Sequence, residues 1–103
     1  MKKVISSPLA PAAIGPYSQA TEAAGLVFVS GQLPIDAATG DMPEGIEAQA
    51  RQSLLNIQHI LEAAGLTMSH IVKTTVYLQD MSLFAGMNSV YATFFEGDYP
   101  ARA

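Results

Sequence analysis

Between residues 46 and 64 the apolar positions follow a helical period. Ile46, Ala50, Leu54, Ile57, Leu61 and Ala64 are spaced 4, 4, 3, 4 and 3 residues apart, which draws one stripe along one face of a helix. Gly65 stands where such a helix needs a residue tolerant of left-handed geometry, so the pattern predicts a helix over 46–64 closed by that glycine. A second stripe, Phe84, Asn88, Tyr91 and Phe95, is spaced 4, 3 and 4 and predicts a helix ending at about Phe95, capped at its start by Asp80 or Ser82. Gly97 follows its end.

Elsewhere the pattern is that of strands. Lys3 to Ser6 fits a short edge strand ended by Pro8, and the three prolines and one glycine of residues 8–16 predict a restricted loop. Tyr17 to Glu22 and Leu26 to Leu33 flank Ala23-Ala24-Gly25, which predicts a hairpin with a glycine turn. Pro34 forbids further ladder pairing, and residues 35–45 have loop chemistry in Asp36, Thr39, Gly40, Asp41, Pro43 and Gly45. Ile71 to Leu78 is β-branched and fits a strand with a buried face. Strand, hairpin, helix, strand, helix is an α+β order. It predicts one mixed β-sheet with two helices packed on one face, the first helix permitting a parallel crossover.

Composition changes this picture in one respect. A single domain of 103 residues hides only ~60–65% of the surface its unfolded chain would expose. Yet 50% of the residues are hydrophobic and only 14% are charged, against ~25% charged in an ordinary soluble domain. That surplus points to an apolar patch buried between copies of the chain. The net charge of −4, with Arg51, Lys73 and Arg102 scattered beyond Lys2 and Lys3, gives no basic stripe for nucleic acid. With no cysteine there is no disulfide, thiolate metal site or cysteine nucleophile. No segment reads as a signal peptide or reaches the ~18 apolar residues of a membrane helix. The expectation is a soluble, cytoplasmic protein.

The residues that can carry chemistry are few. Glycine after the apolar run Leu26-Val27-Phe28-Val29 lets a ligand approach the backbone at Ser30-Gly31; a bulge or a plain strand end explains it equally well. Tyr17, after the stiff Gly15-Pro16, is either a packed structural ring or a phenol able to relay a proton. Asn88 places an amide inside an aromatic stripe, where it must face a ligand pocket or satisfy a buried backbone group. Arg102 by itself reads as a solvated surface side chain. His59 and His70 have no metal-ligand spacing, and no phosphate loop, dinucleotide fingerprint or nucleophile elbow is present. Asp36, Asp41, Glu44 and Glu47 read as a solvated loop and helix start, and Met81 and Met87 as core filler.

Three segments taken together say more: Ala13-Ile14-Gly15-Pro16-Tyr17-Ser18-Gln19-Ala20, Phe28-Val29-Ser30-Gly31-Gln32-Leu33-Pro34 and Tyr99-Pro100-Ala101-Arg102. In this order, with Ala48-Gln49-Ala50-Arg51-Gln52-Ser53 and Ile71-Val72-Lys73-Thr74-Thr75-Val76-Tyr77-Leu78, they resemble the RidA (YjgF) family of enamine/imine deaminases over nearly the whole chain. The resemblance implies a chorismate-mutase-like subunit in a homotrimer, with pockets between neighbours. It also implies hydrolysis of 2-iminobutanoate and 2-iminopropanoate to 2-keto acids and ammonia, without a cofactor or metal. In that family the arginine matching Arg102 grips the substrate carboxylate together with the Gly31 backbone. Tyr17, Ser30 and Asn88 line the pocket, with Arg102 and Tyr17 as the catalytic candidates. Relatives continue past the arginine into two strands, one bearing a glutamate that holds the attacking water; residues 1–103 are expected to form one such domain without those strands. Two other readings remain: a trimeric module that binds carboxylates without turnover, and a single-stranded RNA endonuclease, which the acidic balance disfavours.

Overall fold

The first three strands form an antiparallel ladder in the order β1 (Lys3–Ile5), β2 (Ala20–Ala23) and β3 (Leu26–Val29) in the computed structural model, which describes all 103 residues. The hairpin between β2 and β3 turns on two residues, Ala24 and Gly25, with φ of 54° and 77°. Positive φ at both positions is what a type I′ turn requires, because its twist matches that of the flanking strands. Register puts Ile5, Ala20 and Val29 opposite one another on one face, and Val4, Thr21 and Phe28 on the other. Ile5 and Ala20 are buried, whereas Val4, Leu26 and Phe28 remain 57%, 52% and 57% exposed. The sheet therefore has one packed face and one bare apolar face.

The packed face receives α1 (Ile46–Ala63). Its fully buried Ile60 meets Ile5, Ala10 and Ala20. Leu54 and Leu61, from the stripe read in the sequence, turn instead toward α2 (Phe84–Thr93) and pack with Met68, Met87, Val90, Tyr91 and Phe95. One helix thus divides two apolar clusters, which is why its buried surface is wider than a single stripe. At its end Gly65 (φ 77°) donates to the Glu62 carbonyl at 3.0 Å, and the Leu66 N–H reaches the Leu61 carbonyl at 2.8 Å. These two bonds form a Schellman closure at the glycine that the pattern placed there.

The start of the second helix is also resolved. Asp80 Oδ1 accepts from the Ser82 N–H at 2.8 Å, and a 3-10 turn over Met81–Leu83 leads into α2. Asp80, not Ser82, is the cap, and its bonds to Ser82 hold its carboxyl below the usual carboxylate range. Met87 is core filler as expected, but Met81 is not: on the outer side of the 3-10 turn it is 72% exposed.

Three expectations for the strands need correcting. Pairing of β2 begins at Ala20, not Tyr17, because the Gln19 side chain is buried as a clamp for the preceding loop. Its Oε1 accepts from the Ser7 N–H, and its Nε2 donates to the carbonyls of Ser7, Ala10 and Pro11. β3 likewise stops at Val29, four residues before Leu33. Ile71–Leu78 is extended, with Thr74, Val76 and Leu78 turned inward, but it forms a ladder only at β4 (Lys73–Thr74), where β5 (Ala101–Arg102) lies parallel to it. The parallel partner of β4 is thus β5, not β3, and the expected single mixed sheet is two separate ladders.

Candidate functional site

The β4–β5 ladder determines where Arg102 stands. Ala101 N donates to the Val72 carbonyl and Ala103 N to the Thr74 carbonyl, both at 3.1 Å, which places Arg102 directly opposite Thr74. From there its side chain extends over α2. Nη1 donates to Asn88 Oδ1 at 2.7 Å, and the guanidinium carbon lies 4.8 Å from the ring centre of Tyr91 and 5.5 Å from that of Phe84. Phe84, Asn88 and Tyr91 belong to one face of α2, so the aromatic stripe with an embedded amide is an arginine cradle. A guanidinium is a flat cation; ring faces attract it and an amide oxygen accepts from it.

Within the chain the Asn88 oxygen is engaged by the arginine fourteen residues later and not by a backbone group. Because guanidinium groups only donate, the amide oxygen must face Arg102 and its Nδ2 must point elsewhere, without a partner in the protein. Arg102 itself is exposed, and only one of its five N–H donors is engaged within the chain. A carboxylate can therefore still be received on two parallel bonds.

The other expected residues gather elsewhere. Tyr17 and Ser30 line an open depression of about 380 Å³ together with Lys2, Ser18, Thr21 and Phe28. The Ser30 hydroxyl donates to the Ser18 carbonyl at 2.6 Å, so toward a ligand it presents lone pairs, not its proton. Tyr17 is half exposed and follows a tight turn in which its N–H meets the Gly15 carbonyl at 2.8 Å. Gly31 is exposed, and a side-chain carbon there would meet nothing within 4 Å, so no contact within the chain demands glycine. Arg102 and Asn88 do not line this depression. The structure thus forms two groups, Arg102 with Asn88 and Tyr17 with Ser30, while Gly31 follows Ser30 in the chain without lining the depression.

Three supporting residues escaped the sequence reading. Thr74 Oγ1 lies 2.8 Å from Tyr91 Oη beneath the arginine, Asn56 is wholly buried on α1, and Gln19 holds the loop that leads to Tyr17. For Asn56 a signal existed, since an amide one turn before Ile60 lies on a helix face that must be apolar. The histidines are accounted for: His70 Nδ1 accepts from the Thr67 N–H at 3.0 Å, and His59 Nδ1 lies 3.2 Å from the Leu9 carbonyl. No group of three or more His, Cys, Asp or Glu side chains is arranged to hold a metal. No helix is long and apolar enough to cross a membrane.

Residues 7–103 match the family model described as Endoribonuclease L-PSP. A RutC family protein of Haemophilus influenzae is 50% identical over the whole chain, which spans 82% of that relative. The 2-iminobutanoate/2-iminopropanoate deaminase of Salmonella typhimurium is 48% identical, again over the whole chain and 83% of the relative. Among solved structures, Escherichia coli TdcF with bound serine superposes with a TM-score of 0.95 at 43% identity, covering 98% of this chain and 82% of that one. With the Gly15-Pro16-Tyr17, Ser30-Gly31 and Pro100-Ala101-Arg102 segments standing in this fold, the chain belongs to the RidA/YjgF family, the family of the Endoribonuclease L-PSP model.

Proposed function

We propose that the protein hydrolyses short 2-imino acids, 2-iminobutanoate and 2-iminopropanoate, to the 2-keto acids and ammonia. The observation that carries this reading is the cradled Arg102, whose free donors suit a carboxylate. The deaminase activity of the Salmonella relative and the serine held by TdcF agree with a small amino-acid-like ligand.

Little else is required of the site. A protonated imine is already electrophilic at C2. Water adds its oxygen there and loses a proton, giving a carbinolamine. Proton transfer to that nitrogen lets the C–N bond break, so that ammonia departs as the hydroxyl gives up its proton and the C=O bond forms. Holding the carboxylate fixes C2 relative to the water, which is where positioning lowers the barrier. In this reading Arg102 and the Gly31 backbone bind the carboxylate, Asn88 orients Arg102 and lines the pocket with Ser30, and the Tyr17 phenol relays the proton.

For these two groups to act on one small substrate, the assembly must unite them. A homotrimer with sites between neighbours does so, and the bare face carrying Val4, Leu26 and Phe28 beside the depression supports it.

Release of 2-ketobutanoate from imine generated in place by a threonine dehydratase tests the reading. Arg102→Lys keeps the charge but loses the two-pronged grip, so kcat/KM should fall on the order of 30- to 1,000-fold, from ~2–4 kcal/mol of transition-state stabilisation. Thermal stability should change little. Near-normal turnover in the lysine variant would refute the clamp. Binding of 2-ketobutanoate without turnover by the native protein would favour the carboxylate-binding module, and RNA degradation abolished by the same substitution would favour the nuclease.

A further inference from the structure

We infer that Tyr91 is a positioning residue that acts through Arg102, with Thr74 as the third member of the brace. The inference rests on the reading that Arg102 receives the substrate carboxylate, and it specifies what keeps that arginine in a receptive orientation. An exposed arginine on a strand edge ordinarily samples many rotamers, and a freely moving guanidinium loses much of its freedom when it grips a ligand. Here three links close on themselves. Arg102 is tied to Thr74 by strand register, Thr74 Oγ1 to Tyr91 Oη by a 2.8 Å hydrogen bond, and the Tyr91 ring to the guanidinium at 4.8 Å.

The Tyr91 ring is itself immobilised. It is buried, and the Phe95 ring packs against it with centroids 5.0 Å apart. Tyr91 differs from its neighbours in the stripe by its hydroxyl, and that hydroxyl is engaged with Thr74. Its oxygen, held by Thr74, aligns the ring under the cation. Asn88 fixes the guanidinium from one side at 2.7 Å, and the tyrosine face restricts rotation about the axis that Asn88 leaves free.

A double-mutant cycle on the full-length chain tests this, with 2-ketobutanoate affinity read by calorimetry and fold integrity by melting temperature. Tyr91→Phe keeps the ring and removes only its tether, while Thr74→Val removes the same bond from the other side at nearly constant shape. Each should weaken 2-ketobutanoate binding about two- to fivefold, the range of a modest cation–π contact. The Tyr91→Phe/Thr74→Val double variant should be no weaker than either alone. In an Arg102→Lys background, Tyr91→Phe should have no further effect on affinity. KM should rise more than kcat falls, and the pH profile of turnover should stay in place. Unchanged affinity in both single variants overturns the brace while leaving the clamp intact. Equal losses with and without Arg102 also overturn it, since Tyr91 would then act on the ligand or on the fold at large. Unchanged affinity in Arg102→Lys alone overturns the clamp itself.

Discussion

Asn56 is the residue at which burial and polarity conflict most sharply. It has no exposed surface, yet its Nδ2 donates to the carbonyls of Leu33 and Ile35 at 3.1 and 3.0 Å, while its Oδ1 accepts from Gln52 Nε2 at 2.9 Å. Those carbonyls belong to the irregular chain just after Ser30 and Gly31, where Pro34 can offer no N–H of its own. One amide therefore supplies what a ladder would otherwise supply and pins the segment that follows the site to α1. Asn56→Leu preserves volume and strands the Ile35 carbonyl, at ~1–3 kcal/mol for the group left unpaired, while the Leu33 carbonyl keeps the Ile35 N–H at 2.8 Å. The expected outcome is a melting temperature lower by about 4 °C or more. If stability were unchanged, water would be reaching the Ile35 carbonyl and the amide would not be the anchor. Asn88 has a different role, since its oxygen is engaged by a cation and not by a backbone group.

At the scale of elements, the contact between the two helices is set by Gly86. A methyl group there would come within 2.7 Å of Ile46 Cγ2, at the first residue of α1. Ile46 is β-branched and stiff, so it cannot simply swing aside. Gly86→Ala gains ~1 kcal/mol of helix propensity and meets ~1–3 kcal/mol of overpacking. We expect a net loss of about 1 kcal/mol in a denaturant titration. Ile46→Val keeps Cγ2 and should not relieve that loss, whereas Ile46→Ala in the same chain should make it vanish. A stabilised Gly86→Ala would mean that the helices separate freely. Both helices, their end signals and the hairpin turn were legible in the sequence, because helical periodicity and left-handed glycines are local properties. The ladder partner of Ile71–Leu78 was not, since Ala101-Arg102 lies some thirty residues later and carries no periodic pattern of its own. For the same reason the sequence offered candidate site residues but not their grouping. Asn88 stood out by its place in the aromatic stripe and Arg102 only through the family resemblance, while their contact needed β5 laid beside β4.

At the scale of the molecule, the decisive asymmetry lies between the two faces of the first sheet. Ile5, Ala20 and Val29 are covered by α1, but Val4, Leu26 and Phe28 face outward with more than half their surface exposed. The hairpin thus presents an apolar ridge next to the depression that holds Tyr17 and Ser30. A monomer with 14% charged residues has little polar surface with which to offset that ridge. Covering it with another copy removes apolar area at ~25 cal/mol per Å² and offers a way to bring the Tyr17 group toward a neighbour's Arg102. We therefore expect a trimer by light scattering at micromolar concentration. Phe28→Lys, which charges the ridge without touching the buried face, should shift that mass toward the monomer. Imine turnover should fall in parallel with the trimer fraction, although Arg102 on the second ladder and its cradle on α2 are left unaltered. Full turnover by a monomeric Phe28→Lys protein would mean that one chain completes the site, and the intersubunit arrangement would be wrong.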